Sequence, residues 1–438
     1  MFNRYYLLGG LLILVCLLVG VWLVVEGDFT PPNIILSKDI EFLGQNQELR
    51  FSVEDGKSGV GLAQVSIVQG DNIREISRFD FPKKGEFRKE LELNIQPRSL
   101  GLKDGKARLI ISARDSSLFG NETKLERELT VDTVPPQLGI QSLNHYISMG
   151  GSCLAVYNVS KDTVKSGILV GETHFRGYPA TAEGGRIAYF ALPWNASAST
   201  PILLMAEDSA GNATKVSFAY LVLKKRFREA KINISDDFLD RKMPEFSARY
   251  DNLQGNNLGI YLKVNSELRQ ESDGKIREIC NKSHPERLWE GPFLRMKGSP
   301  KAGFGDKRIY YYQGKAIDRQ VHLGVDIAAL QQFPVEAANN GIIVFADDMG
   351  IYGNTIIIDH GQGLFSMYSH LSSFKGKPGT QVTKGGVIGN TGTTGLAGGD
   401  HLHFGMIVQG IFVNPKEWWD AHWIKDNVTA KLQPEKSD

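Results

Sequence analysis

The last third of the chain consists of short apolar runs separated by glycine-containing turns. These runs occupy residues 341–346, 354–359, 364–369, 386–390 and 402–408. Short runs rich in β-branched and aromatic residues and bounded by glycine are typical of strands, and helical periodicity is scarce between them. From about Trp289 onward the sequence therefore predicts a compact antiparallel β domain. We expect Trp418, Trp419 and Trp423 to cap its core, with carbohydrate stacking as the alternative.

Five of the nine histidines of the chain lie between residues 322 and 403, inside this β-rich region. The candidate metal-ligating and catalytic residues are His322, Asp326, His370, His401 and His403. Alternate residues of a strand point to the same face, so His401 and His403 are expected to share a face with Leu402 behind them. Two imidazoles on one face can share a metal, or one can bind it while the other transfers protons.

Zinc in hydrolases is typically held by three histidine or carboxylate ligands, with a further position open for water. The five candidates are enough for three ligands and two histidines that transfer protons. No His-Glu-x-x-His helix is present, which excludes a thermolysin-like arrangement. The other histidines are expected to be surface, packing or turn residues: His145, His174, His284, His360 and His422.

Residues 287–425 resemble the lysostaphin/LytM-type zinc metallopeptidases. The resemblance rests on three motifs that occur in this order: His322-x-x-x-Asp326, Tyr368-x-His370-Leu371 and His401-x-His403. Asn414-Pro415 and other residues around the motifs also agree with the family. It implies that His322, Asp326 and His403 hold one Zn²⁺ per chain and that His370 and His401 are catalytic beside the open position. It also implies that peptidoglycan is the substrate.

One departure from the family pattern precedes His401. Gly398-Gly399-Asp400 stands where many members have a Gly-Pro-like turn. Asp400 is expected to be a turn residue, and the alternative is that it orients a histidine. Some members that have lost zinc ligands regulate other wall hydrolases, so a non-catalytic regulator or activator is the alternative function. The complete ligand set favours an enzyme.

The N-terminus carries an uncharged apolar stretch from Tyr5 to Val25. A helix of this length spans a hydrocarbon core of roughly 30 Å. Arg4 precedes it and Glu26 follows it, so the positive-inside rule places the N-terminus in the cytoplasm and the bulk of the chain in the periplasm or outside the cell. A cleaved signal peptide is the alternative, but Val24-Val25-Glu26 offers no small-residue cleavage site.

Two stretches with a Gly-Asn turn, at Gly120-Asn121 and Gly211-Asn212, are flanked by apolar runs and predict β-hairpins. A double proline begins each surrounding unit. We therefore expect two β-sandwiches, at 30–133 and 134–223, that resemble bacterial immunoglobulin-like domains. Their expected role is that of spacers. The alternative is binding to a wall polymer or to a cell-envelope protein.

The other expectations concern the linker, the charge and the cysteines. Residues 224–286 have patchy helical periodicity and are expected to form a partly helical linker, with restraint of the active site as an open possibility. The net charge of +1 gives no electrostatic reason to expect a nucleic-acid partner. Cys153 and Cys280 are expected to be free thiols, with a single bridge between them as the alternative.

The sequence therefore predicts a mainly β chain with a single-pass anchor in the cytoplasmic membrane. The predicted regions are a stub and transmembrane helix (1–28), two Ig-like β-sandwiches (30–133 and 134–223), a partly helical linker (224–286), an antiparallel β metallopeptidase domain (287–425) and a tail (426–438). The predicted function is a membrane-anchored zinc metalloendopeptidase. An adhesive or scaffolding surface protein is a further alternative.

Overall fold

The computed structural model describes residues 8–18, 20, 27–82, 85–180 and 184–432. The chain divides into two compact units, one of residues 1–136 with 207–213 and the other of residues 137–206 with 214–438. Both units are mainly β, as predicted.

Residues 8–18 are helical. In the part of the chain that the structure describes, no helix is long and apolar enough to cross a membrane. Residues 5–7, 19 and 21–25 of the predicted anchor lie outside the described residues. The transmembrane anchor therefore stays a prediction.

The first unit contains eight described strands in two sheets. They are β1 (Asn33–Leu36), β2 (Phe42–Leu43), β3 (Gln47–Glu54), β4 (Val60–Gln69), β5 (Asn72–Asp80), β6 (Arg88–Ile95), β7 (Gly105–Asp115) and β8 (Glu122–Val131). One sheet has the order β1-β3-β6 and the other β2-β8-β7-β4-β5. A short 3₁₀ helix, Pro97–Leu100, precedes β7.

The core of this unit follows from alternation along its strands. In β7, Ala107, Leu109 and Ile111 are buried while the residues between them are more exposed. A period of two is the pattern of a strand with one face toward a core. β7 and β8 pair in antiparallel fashion, which confirms the first predicted hairpin. The two sheets enclose this core as a β-sandwich.

The second unit begins with short strands in three small sheets. The strands are β9 (Leu138–Ile140), β10 (His145–Ser148), β11 (Ser152–Val159), β12 (Thr163–Val170), β13 (Thr173–Arg176), β14 (Tyr178–Pro179), β15 (Gly185–Ala191), β16 (Ile202–Asp208), β17 (Ala213–Ser217) and β18 (Tyr220–Leu223). The sheet orders are β14-β15-β11-β9, β13-β12-β16-β17 and β10-β18. Cys153 and Cys280 are buried and free, as expected.

A strand and three helices follow in the segment predicted to be partly helical. They are β19 (Glu229–Ile234), α1 (Asp236–Arg249), α2 (Asn257–Lys263) and α3 (Arg269–Ile279), with a π-helical turn, Val264–Leu268, joining α2 to α3. Ser235 and Asn256 cap α1 and α2 by accepting a backbone N–H with their side chains. Strong caps explain why helices form here despite the weak apolar periodicity.

The remaining strands carry the candidate site. They are β20 (Ser299–Ala302), β21 (Lys307–Tyr312), β22 (Lys315–Val321), β23 (Val325–Ala328), β24 (Pro334–Glu336), β25 (Gly341–Asp348), β26 (Asn354–Asp359), β27 (Leu364–Ser369), β28 (Leu371–Phe374), β29 (Gln381–Val382), β30 (Val387–Thr391), β31 (Leu402–Val408) and β32 (Ile411–Val413). A 3₁₀ turn, Gly350–Tyr352, precedes β26. The C-terminal helices are α4 (Pro415–Trp419), α5 (Ala421–Ile424) and α6 (Ala430–Leu432), with a π-helical turn, Lys425–Thr429, between α5 and α6. All five predicted strands are present.

The central sheet has the order β20-β23-β31-β27-β26-β25-β29, with β32 beside β31. Every residue of β27 and β31 is buried, because both faces of the sheet are covered. On one face Met367 and Ile407 join the core formed with the helices α1 to α3. On the other, Tyr368 and Phe404 join the core that contains Trp418. Two-sided burial explains the continuous apolar runs of the sequence.

Candidate metal and catalytic site

The candidate ligands lie on two neighbouring strands and the turn that precedes one of them. β23 pairs with β31 in antiparallel register, and this pairing places Asp326 opposite His403. His322 directly follows β22 and lies four residues before Asp326. The pairing of these strands therefore brings His403 to His322 and Asp326, although it lies 81 positions after His322 in the sequence.

The ligand atoms form a compact triangle. Nε2 of His322 lies 2.9 Å from Oδ1 of Asp326 and 3.0 Å from Nδ1 of His403, and the last two atoms are 2.9 Å apart. All three residues are buried. Two nitrogens and one oxygen this close together form a group that could hold a metal ion, and zinc accepts such donors.

The dimensions of this triangle fit a small metal ion. Metal–ligand distances of about 2.0–2.2 Å in a tetrahedral zinc site place the ligand atoms about 3.3–3.6 Å apart. The observed separations are a few tenths of an ångström shorter than that. Residues His322, Asp326 and His403 can therefore hold zinc with small adjustments of their side chains.

Partners outside the triangle fix the ligand rings. Nδ1 of His322 lies 2.9 Å from the carbonyl oxygen of Gly303, so an N–H at that position leaves Nε2 as the donor atom toward the site. His403 faces the site with Nδ1, and its Nε2 is buried without a hydrogen-bond partner among the residues that the structure describes. Gly324 packs against this ring, since a Cβ at Gly324 would lie 2.5 Å from Nε2. The lack of a side chain at Gly324 thus leaves space for the ring of His403.

His370 and His401 flank the triangle. Nδ1 of His370 lies 2.8 Å from the carbonyl oxygen of Thr394, and Nδ1 of His401 lies 2.7 Å from that of Gly399. The two rings are 4.8 Å apart between centroids. Nε2 of His401 lies 3.6 Å from Oδ1 of Asp326. The structure therefore brings all five residues together, and His401 and His403 share a side as predicted.

His370 has an unusual backbone conformation. It directly follows β27 and has φ of +61°, in the left-handed region that few non-glycine residues adopt. Its N–H donates to the carbonyl oxygen of Tyr352 at 2.9 Å. Such strain costs on the order of 1–3 kcal/mol and is concentrated at functional sites.

Burial and neighbouring groups shift the pKa values in the site. Burial would raise the pKa of Asp326, but His322 and the other histidines outweigh it and hold that pKa well below its usual value. Burial lowers the pKa of His403 to about 4 and the pKa of His370 well below its ordinary value. Burial opposes protonation of His401 too, but Asp326 more than compensates and raises its pKa. Neutral His403 and ionised Asp326 are the forms that bind metals.

Arg308 is a residue of the site that sequence reasoning missed. Its Nη2 donates to Oδ2 of Asp326 at 2.9 Å, from strand β21. A lone arginine in a strand carries no signal of such a contact, since only the fold brings β21 beside Asp326. The run from Lys307 to Tyr312 is typical of a strand, and it gives no indication that Arg308 contacts Asp326.

Asp400 is a turn residue, as expected. Its Oδ1 accepts from the hydroxyl of Thr391 at 2.5 Å, and its Oδ2 accepts from the N–H of Gln332 at 3.1 Å. These bonds tie the segment before His401 to the end of β30 and to the turn before β24. Asp400 therefore positions the backbone that leads into His401.

The other histidines and tryptophans have structural surroundings. His360 is buried, with its two ring nitrogens 2.7 Å from the carbonyl oxygen of Asn340 and the hydroxyl of Ser366. His145 is buried beside Ser142. Trp418 is fully buried and lies 5.2 Å from Trp423 between ring centroids, so this pair caps the core as expected. His422 is exposed, and His174 and His284 are partly exposed.

Comparisons with known proteins point to one peptidase family. Residues 320–415 match the model of peptidase family M23. Over 96 residues the chain is 43% identical to the DD-carboxypeptidase/endopeptidase Mpg of Neisseria meningitidis serogroup B, a match that covers 22% of each protein. It is 38% identical over 93 residues to the peptidoglycan DD-endopeptidase ShyA of Vibrio cholerae, covering 21% of this chain and 22% of ShyA.

A third relative has a different description. The murein hydrolase activator EnvC of Escherichia coli is 34% identical over 95 residues, which covers 22% of this chain and 23% of EnvC. The chain thus spans less than a quarter of the length of these three relatives. The catalytic domain of lysostaphin from Staphylococcus simulans is 30% identical, covering 28% of this chain and 92% of that domain, with a TM-score of 0.25. On the family model and the curated relatives, this chain carries a domain of peptidase family M23.

Proposed function

We propose that this chain is a membrane-anchored zinc metalloendopeptidase that hydrolyses peptide bonds in peptidoglycan cross-links. The observation that carries the proposal is the convergence of His322, Asp326 and His403 inside a domain of family M23. Two relatives are named as endopeptidases of the DD type, which supports a D,D-peptide bond as the target.

The three convergent residues would hold the zinc ion. When bound, zinc supplies Lewis-acid chemistry, which makes water more acidic and polarises the scissile carbonyl group. Asp326 contributes a negative charge and the two histidines contribute neutral nitrogen donors. One carboxylate does not neutralise a divalent ion, so the loaded site would keep a net positive charge. That charge would stabilise a developing oxyanion.

His370 and His401 would transfer protons beside the metal. In each, an N–H at Nδ1 donates to a carbonyl oxygen, so Nε2 carries a lone pair that faces the site. Such a nitrogen can accept a proton from water and then donate it to the leaving amine. The fixed Nδ1 partners hold both rings in this orientation and reduce the entropy cost of the reaction.

The rest of the chain is proposed to attach the peptidase domain to the cytoplasmic membrane and to extend it outward. Large apolar side chains of residues 8–18, such as Leu8, Leu12 and Leu17, are more than half exposed, which supports their insertion in a bilayer. The order β1-β3-β6 facing β2-β8-β7-β4-β5 supports an immunoglobulin-like sandwich as a spacer.

The alternative of an activator is less well supported. EnvC is named as an activator of murein hydrolases, and this chain resembles it over the same domain. However, all five side chains expected of an active site are present and converge here. An activator has no need of a complete metal-binding set.

Digestion of purified peptidoglycan sacculi tests this function. The full chain in mild detergent, supplied with one equivalent of Zn²⁺, is incubated with sacculi, and the released muropeptides are identified by mass spectrometry. We expect loss of cross-linked dimers, which also identifies the bond cut. His401→Ala should abolish this loss, whereas His422→Ala, an exposed histidine outside the site, should not. Intact dimers in the wild-type reaction would favour the activator instead.

A further inference from the structure

Three aspartates meet at one end of the N-terminal β-sandwich. Asp28 lies in the segment that leads into β1, Asp55 directly follows β3, and Asp115 is the last residue of β7. β3 and β7 belong to different sheets. The cluster therefore joins the start of the unit to both of its sheets, far in sequence from the peptidase site.

These carboxylates are buried and close together. Each of the three residues is only 4% exposed. One carboxylate oxygen from each lies within 4.8 Å of the other two. Like charges this close repel strongly where water is excluded, and a bound cation would remove that cost.

The hydrogen bonds within the cluster leave one oxygen without a partner. Oδ1 of Asp55 accepts from the N–H of Gly59 at 2.6 Å and from that of Lys57 at 3.2 Å. Oδ2 of Asp55 is fully buried and has no hydrogen-bond partner within the described part of the chain. A buried carboxylate oxygen with no donor is costly, so this atom indicates a ligand that satisfies it.

Asp28 keeps its charge in this setting. Burial opposes its ionisation, but hydrogen bonds from Thr30 and Ser58 outweigh burial and lower its pKa to about 2. The three donors are the hydroxyl and N–H of Thr30 and the N–H of Ser58, at 2.7–3.0 Å. At least one member of the cluster is therefore anionic at every physiological pH.

Asn121 offers a further oxygen. Its Nδ2 has three oxygen neighbours: the backbone carbonyl of Asp28 at 2.9 Å, Oδ2 of Asp115 at 2.6 Å and the hydroxyl of Ser117 at 3.3 Å. An amide nitrogen has two hydrogens for these three acceptors. The two ends of an asparagine amide can exchange places by rotation, and Oδ1 would then face the same group.

We propose that Asp28, Asp55 and Asp115 form a Ca²⁺ site, with Asn121 and the carbonyl of Asp28 as additional oxygen donors. The donor set consists of oxygen atoms alone, which hard cations prefer and zinc does not. Ca²⁺ accepts six to eight oxygens in flexible geometry, whereas Mg²⁺ demands a near-ideal octahedron. The ion links the segment before β1 to both sheets and stabilises this end of the sandwich.

Equilibrium dialysis of the full chain in mild detergent against radioactive Ca²⁺ tests the site. The variants are Asp55→Asn and Asp115→Asn, with Asp71→Asn as a matched control. Asp71 is exposed and lies in the turn between β4 and β5, at the other end of the same sandwich. We expect both cluster variants to bind one Ca²⁺ ion fewer per chain than the wild type and the control.

The substitution at Asp55 is designed to preserve the fold. An asparagine there keeps Oδ1 for Gly59 and places N–H donors beside the remaining carboxylates, so the protein without Ca²⁺ gains hydrogen bonds. Ca²⁺ should raise the unfolding temperature of the wild-type sandwich by about 5 °C or more, and should leave that of Asp55→Asn unchanged. An equal ion count in the wild type and Asp55→Asn overturns the proposal.

A further variant should strengthen Ca²⁺ binding instead of weakening it. Asn121→Asp adds a carboxylate beside Asp115 and should bind Ca²⁺ at least tenfold more tightly, at the same ion count as the wild type. This result does not depend on the stability of the Asp55 variant. An unchanged Ca²⁺ affinity in Asn121→Asp overturns the proposal as well.

Discussion

The guanidinium of Arg308 donates to Oδ2 of Asp326 at 2.9 Å, while Oδ1 of the same carboxylate faces His322 and His403. Arg308 thus binds one carboxylate oxygen of Asp326, and the other oxygen faces the position proposed for the metal. This ion pair fixes the rotamer of Asp326 and leaves its charge only partly compensated. Arg308 is therefore a positioning residue for the proposed zinc ligand.

Substitution of Arg308 tests this role. Arg308→Gln should weaken zinc binding and cleavage of cross-links by roughly 10–100-fold, the usual effect of losing an outer partner of a metal ligand. Zinc affinity is measured by competition with a chromophoric chelator, and Arg308→Lys should restore part of it. Arg319→Gln is the control, since Arg319 is exposed on the neighbouring strand β22. Equal zinc affinity in Arg308→Gln and the control would contradict the assignment.

Glu417 gives the protein a pH-dependent stability. Burial raises the pKa of its carboxyl to about 7, although the N–H and hydroxyl of Ser152 donate to it at 2.9 and 3.2 Å. The folded protein therefore binds a proton that the unfolded chain releases above about pH 4.5. Stability should fall as the pH rises from about 4.5 to about 7, by roughly 1–3 kcal/mol after allowance for solvent.

Urea unfolding at pH 5 and pH 8 measures this contribution. Glu417→Gln cannot titrate, so its loss of stability between these pH values should be smaller than that of the wild type by the same amount. Glu278→Gln, a change at an exposed glutamate of α3, should behave like the wild type. A wild-type pH dependence retained in Glu417→Gln would assign the effect to another group.

Trp418 stabilises one face of the central sheet. It is fully buried and lies within 5.9 Å, between ring centroids, of Tyr189, Trp289 and Phe293. Trp418→Ala leaves a large cavity and should lower the free energy of unfolding by about 3–5 kcal/mol. Trp423→Ala, at a half-buried position beside it, should cost less. Equal losses in urea unfolding would show that the two rings contribute alike.

The sequence is sufficient to predict five strands of the C-terminal region and to single out five residues that the structure brings together. Continuous apolar runs between glycines indicate buried strands, and the His-x-His alternation assigns both rings to one face. Both inferences depend only on residues that are neighbours in the sequence, so contacts between distant segments do not alter them. The match of 354–359, 364–369 and 402–408 to observed strands confirms their strength.

The missed features depend on contacts between distant segments. Arg308 acts because its side chain reaches Asp326 of β23 from another sheet, in which β21 pairs with β19 of the linker segment. The left-handed backbone of His370 is likewise accompanied by a hydrogen bond from its N–H to the carbonyl oxygen of Tyr352, and no local sequence pattern indicates either feature. The transmembrane anchor and the immunoglobulin-like assignment stay predictions.

The most direct measurement of the central claim determines zinc content and cross-link cleavage together in one set of variants. The full chain binds one Zn²⁺ and cleaves sacculi if His322, Asp326 and His403 are the ligands. His403→Ala should lose both the metal and the activity. His401→Ala should keep the metal and lose only activity, and His422→Ala should keep both. Retention of stoichiometric zinc by His403→Ala would contradict the account.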